Sequence, residues 1–205
     1  MQIEDDGKLV TSGTTLAVGI PFADDADGIV HLYNNIRGRW IKQQTIRQPD
    51  VVDFGYSVTV YGSHMAVSGL GGDSHSVIFT YQLDASSNTW INNGRFALEN
   101  IDFLHLSSVS MHQNHLVVTV TDKDRHPGVC GYVYKLSQTP TYNKNGGEVF
   151  KWNHVGVLTT KTDPLTEDYQ VHWAVGVDEQ MAYIGRYDSA DNGVGKLFLH
   201  DLSNI

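Results

Sequence analysis

Aspartate is the residue type whose spacing most invites a chemical interpretation in this 205-residue chain. Asp24, Asp25 and Asp27 lie in FADDAD (22–27), Asp73 in GGDSHS (71–76), Asp122 and Asp124 in TDKDRHP (121–127), and Asp188 and Asp191 in RYDSADN (186–192). Grouped carboxylates supply hard oxygen ligands for calcium, or an acidic surface that attracts basic protein segments. Calcium takes about six to eight oxygens. The DADG that ends at Gly28 has Ala23 where a calcium loop would begin with aspartate, and no closing glutamate follows. The plainer account is that Asp and Gly serve the backbone of turns. The expectation is therefore no cofactor and no metal, with Asp24, Asp25 and Asp27 as the weak calcium candidates. All eight aspartates are expected to mark one partner-binding face.

Other chemistry is poorly supported. His112 and His115 flank a tight turn in HQNH, but no third zinc ligand accompanies them. There is no GxSxG elbow for a nucleophilic serine. Cys130 is the single cysteine, which excludes an intramolecular disulfide and a cysteine-based zinc site and leaves it as a small buried hydrophobe. No catalytic residue is assigned, and the chain is expected not to be an enzyme.

The elements that hold these loops repeat along the chain. TLAVGIP (15–21), HMAVSGL (64–70), HLVVTVT (115–121) and QMAYIGR (180–186) share one shape, with Leu16, Met65, Leu116 and Met181 as anchors. Seven residues before each anchor stands Leu9, Val58, Val109 or Ala174, opening an alternating first strand. After each run come a polar loop and a third alternating segment: GIVHLY (28–33), SVIFTYQ (76–82), GYVYKL (131–136) and GKLFLHD (195–201). Period-two alternation of β-branched and aromatic residues marks half-buried strands. Trp40, Trp90 and Trp152 open a fourth segment in the first three repeats only. The stretch 137–150, with Pro140 and Gly146–Gly147, predicts a protruding loop or hairpin.

Repeats of about fifty residues with four strands each indicate a β-propeller. The expected architecture is all-β: about four blades of four-stranded antiparallel sheet, the last incomplete, in a single propeller segment over 1–205 that is either whole or part of a larger propeller. The repeats run over about 8–52, 53–103, 104–168 and 169–205.

Phe54–Gly55 in the second repeat, and VGIP at 18–21 followed by GIVHLY in the first, resemble the FG-GAP repeat of integrin-type propellers. The calcium-binding DxDxDG loop of that family is missing: the turns between first and second strands are SGTT, YGSH, HQNH and DEQ. Kelch repeats are the nearest rival, through Gly71–Gly72 and the LDASSNTW at 83–90. The FG-GAP resemblance implies a non-enzymatic module for adhesion or assembly, with a protein or further blades as partner, on a cell or particle surface. Two alternatives remain open: a carbohydrate-binding or carbohydrate-active propeller, and an architectural subunit of a large viral or organellar assembly.

Composition narrows the partners. A formal net charge of −9 argues against nucleic acid, which needs a clustered positive surface. No apolar run approaches the ~20 residues of a membrane-spanning helix, so no membrane insertion is expected. MQIEDDGK has two acids where a secretory signal needs basic and then apolar residues, and it is expected to carry no targeting peptide. Localisation stays unassigned by the residues themselves.

Overall fold

The computed structural model describes residues 8–23, 27–72, 75–98, 108–119, 129–142, 148–159, 171–188 and 195–205. Among them there is no helix. The strands form antiparallel sheets of the propeller-blade type, and two compact units emerge, one holding the first nine strands and one the last nine.

In the first unit, β1 (Lys8–Ser12), β2 (Thr15–Ile20), β3 (Ile29–Ile36) and β4 (Arg39–Ile46) make the first blade, paired in chain order. The second blade has β6 (Val58–Tyr61), β7 (His64–Gly71), β8 (Ser76–Asp84) and β9 (Thr89–Ala97), with the short β5 (Val51–Val52) also pairing with β7. In the second unit, β10 (Val109–His112), β11 (His115–Thr119), β12 (Val129–Leu136) and β15 (Trp152–Thr159) form the third blade. Between its last two strands, β13 (Thr141–Tyr142) and β14 (Glu148–Val149) pair as the hairpin expected from the proline and glycines. The fourth blade has three strands among the described residues: β16 (Val171–Val177), β17 (Met181–Asp188) and β18 (Gly195–Asp201).

Alternation gives each blade two apolar faces, because side chains of successive strand residues point to opposite sides. Ala17, Val30, Leu32 and Ile46 line one face of the first blade, and Val58, Val60, Met65, Val67, Phe79 and Tyr81 line the opposing face of the second; together they form one buried cluster. In the second unit Val117, Val133 and Leu158 of the third blade meet Ala182, Ile184, Val175, Val177 and Phe198 of the fourth in the same way. We call the face that looks toward the following blade the leading face, and the one that receives it the trailing face. In the first unit the leading face carries Ala17 and aliphatic residues, and the trailing face that meets it carries the bulkier Met65, Phe79 and Tyr81.

The fourth anchor needs a correction. Leu16, Met65 and Leu116 are at most 2% exposed on their trailing faces. In the fourth blade that position belongs to Ala182, not Met181, because Ala182 and Ile184 are the residues buried against the third blade. The register is thus displaced by one residue, and Val175, which pairs with Ile184, takes the place expected for Ala174.

A second regularity appears in the outer strands. Pairing of the third with the fourth strand shifts between Leu32 and Tyr33, between Thr80 and Tyr81, and between Val133 and Tyr134, the same place in each of the first three blades. An extra residue there sharpens the local twist of the strand.

Candidate functional site

The FG element is the best-defined interior feature. Phe54 is fully buried and meets Phe79 edge-to-face at 5.5 Å between ring centroids. Its amide donates to the Asp27 carbonyl at 3.1 Å, and the Gly55 amide donates to the Ser68 carbonyl at 3.0 Å, tying the segment to both blades of the first unit. Gly55 has φ 95°, and a Cβ there would lie 2.8 Å from the Ile29 carbonyl oxygen. Gly28, with φ 80°, faces the Phe54 backbone so closely that a Cβ would lie 2.6 Å from its amide nitrogen. Only glycine satisfies both the left-handed backbone and this approach.

The tryptophans that open the outer strands differ in exposure. Trp90 is 5% exposed within the core cluster of the first unit, and Gln44 of β4 grips its backbone: Gln44 Nε2 donates to the Trp90 carbonyl at 2.9 Å, and Gln44 Oε1 accepts from the Trp90 amide at 2.8 Å. Gln43 Nε2 adds a bond to the Asn88 carbonyl at 2.7 Å. Trp40, at the same position in the first blade, is 37% exposed. It sits on the β3–β4 hairpin, whose turn uses Arg37 (φ 52°) and Gly38 (φ 81°), with Asn35 Oδ1 accepting from the Gly38 amide. Two positive φ values match the twist of a tight hairpin. Register places Trp40 with Asn35 on one face of the hairpin and Ile36, Arg39 and Ile41 on the other; Ile36 and Ile41 are about half exposed, and Arg37, Arg39 and Lys42 are exposed with them.

His112 and His115 face each other across the β10–β11 turn. His115 is buried and its Nε2 has no hydrogen-bond partner among the described residues. Burial, then the Lys135 ammonium, then His112 hold its pKa below the ordinary value of 6.5. Nearby, Asp178 accepts from the Tyr183 hydroxyl at 2.5 Å and from the amides of Gln180 and Met181, which keep its carboxyl below the usual range. Among the described residues no group of three or more His, Cys, Asp or Glu is placed to hold a metal ion. An open cleft of about 640 Å³ in the second unit is lined by Val157–Thr159, Leu197–Asp201 and Ile205. Its titratable side chains are His200 and Asp201.

The aspartates fall as follows. Asp27 is exposed in the turn before β3. The backbone of Asp188 closes β17. Asp24, Asp25, Asp73, Asp122, Asp124 and Asp191 lie outside the described residues, as does the side chain of Asp188. The connections that carry them do join second to third strands in all four blades. Cys130 lies in β12, with its side chain outside the described set.

No family model matches the sequence. No curated protein matches it either. Among solved structures, the chain is similar to the N-terminal domain of Nup159 at 12% identity and a TM-score of 0.40, over 95% of this chain and 49% of that one. The chain thus spans about half the length of that domain.

Proposed function

We propose that the chain is a non-enzymatic protein-interaction module of the FG-GAP type that serves adhesion or assembly. The observation that carries this reading is the β3–β4 hairpin: Trp40 on one of its faces, and Ile36 and Ile41 on the other, stand in solvent with Arg37 and Arg39, while the equivalent Trp90 is buried in the core cluster of the first unit. Tryptophan and arginine dominate protein-interface hot spots, and grouped exposed apolar side chains mark such surfaces. The FG-GAP assignment is supported by Phe54–Gly55, which is locked between two blades by its own backbone bonds. The aspartate-bearing loops are the proposed second contact, an acidic surface for basic segments of the same partner.

The test is quantitative affinity capture from the native cell with the wild-type chain and a Trp40→Ala/Ile41→Ser variant. A stoichiometric protein partner that is lost with the variant is the expected result. Identical partner lists for the two would refute the hairpin as the contact, and the absence of any protein partner would refute the module.

A further inference from the structure

The tip of the β3–β4 hairpin departs from its counterpart in the second blade. Trp40 pairs with Asn35 and Trp90 with Leu83, so the next pair outward is Ile36 with Arg39 in the first blade and Asp84 with Thr89 in the second. The second tip is polar and satisfies itself: the Asp84 carboxylate accepts from the Ser86 amide at 2.9 Å and from the Ser86 and Ser87 hydroxyls at 2.7 and 2.8 Å. At the first tip Ile36, Arg39 and Ile41 form one exposed row, and the exposed Arg37 adjoins it in the turn. Ile36 and Ile41 are 52% and 49% exposed.

Charge sets this tip apart from the remainder of the chain. Residues 28–49 hold Arg37, Arg39, Lys42 and Arg47 and no Asp or Glu, which leaves ten Lys and Arg elsewhere against all 23 acids. The four cations are exposed. Lys42 lies on the Trp40 face, where its ammonium donates to His31 Nε2 at 3.3 Å, so Arg39 and Arg37 are the cations of the isoleucine row.

We infer that the partner engages this hairpin through a short acidic segment whose carboxylates flank an apolar side chain. The inference rests on the interaction module proposed above and names the chemistry that its hairpin reads. Guanidinium groups form charge-assisted hydrogen bonds with carboxylates, and apolar contact beside them anchors the segment. A basic or neutral segment would take the arginines out of water without a counter-charge. The small extent of the basic patch selects a peptide over larger polyanions. Duplex DNA carries one charge about every 1.7 Å, and a length sufficient to be held would run past four cations onto a chain dominated by acids. An anionic bilayer meets the same repulsion. A segment about as long as the eight-residue β4 stays within the patch.

The test pans a phage-displayed library of random peptides, each of about twelve residues, on the full chain, with counter-selection on the Trp40→Ala/Ile41→Ser variant. Sequences retained by the wild type alone should be net acidic and carry at least one large apolar residue. Their affinity should fall about 10-fold or more between about 50 and about 300 mM salt. It should fall about as far in Arg37→Asn/Arg39→Glu, in which asparagine tolerates the left-handed turn position (φ 52°). Arg37→Lys/Arg39→Lys keeps the charges and should bind more tightly than that variant. Retained sequences that are neutral or basic, or no retained sequence at all, would overturn the inference. So would a single-stranded oligodeoxynucleotide or phosphatidylserine vesicles that bind more tightly than every retained peptide and are released by Arg37→Asn/Arg39→Glu, and so would a dimer of the chain alone that the same variant dissolves. Captured cellular partners that depend on Trp40 and Ile41 but not on Arg37 and Arg39 would leave the interaction module standing and remove only this chemistry.

Discussion

Gly28 and Gly38 form a natural experiment on the contact between the first two blades. Their φ values are 80° and 81°, so alanine at either position incurs the same left-handed backbone strain, about 1–2 kcal/mol, offset by about 0.4–1 kcal/mol from a stiffer unfolded chain. A Cβ at Gly38 meets nothing among the described residues within 4 Å, whereas one at Gly28 runs into the backbone of Phe54. Gly38→Ala should therefore cost about 1 kcal/mol. In Gly28→Ala the Phe54 segment must retreat, which breaks the Phe54 amide bond to Asp27, worth about 0.5–1.5 kcal/mol, and withdraws a fully buried phenylalanine. Truncating such a residue altogether costs about 3–5 kcal/mol. The excess of Gly28→Ala over Gly38→Ala should thus be about 3 kcal/mol or more, roughly 15 °C in Tm for a unit of this size. The two units need not unfold together, so the assay is hydrogen exchange by mass spectrometry in a urea series. Peptides from β2 and β6 should lose protection early in Gly28→Ala, while those from β11 stay unchanged. Equal effects of the two substitutions, within about 0.5 kcal/mol, would refute the interlocking of Gly28 with Phe54.

Further outcomes are expected. Gln44→Ala removes both side-chain bonds to the Trp90 backbone and should destabilise the first unit by about 1–3 kcal/mol, with a red shift in tryptophan emission as Trp90 becomes exposed. For His115 the folded-state pKa is depressed, so the unfolded chain takes up a proton first as pH falls. Stability should be full above the ordinary value of 6.5, decline below it, and level off below the folded-state pKa; in urea titrations across that window, His115→Leu should flatten the slope. Thermal melts in excess calcium and in EDTA should coincide, and a rise of many degrees with calcium would assign a true site to the loop of Asp24, Asp25 and Asp27.

Blades were legible in the residues because their inner strands, packed on both faces, read as short apolar runs such as TLAVGI, HMAVSGL and HLVVT that recur along the chain. The face of each strand that packs was less legible. In QMAYIG the larger side chains, Met181 and Tyr183, suggest the inward row, yet Ala182 and Ile184 are buried, because Val117 and Val133 already fill part of that interface. Local sequence records hydrophobicity, not the volume left by the neighbouring blade. The tryptophans make the same point: Trp40 and Trp90 occupy equivalent positions, yet Trp90 joins the buried cluster of the first unit and Trp40 does not. The FG element was visible because its phenylalanine and glycine are adjacent in the chain. The row of β18 that packs was hidden, since LFL in GKLFLHD is apolar on both sides, and only packing against the third blade distinguishes Phe198 from Leu197 and Leu199.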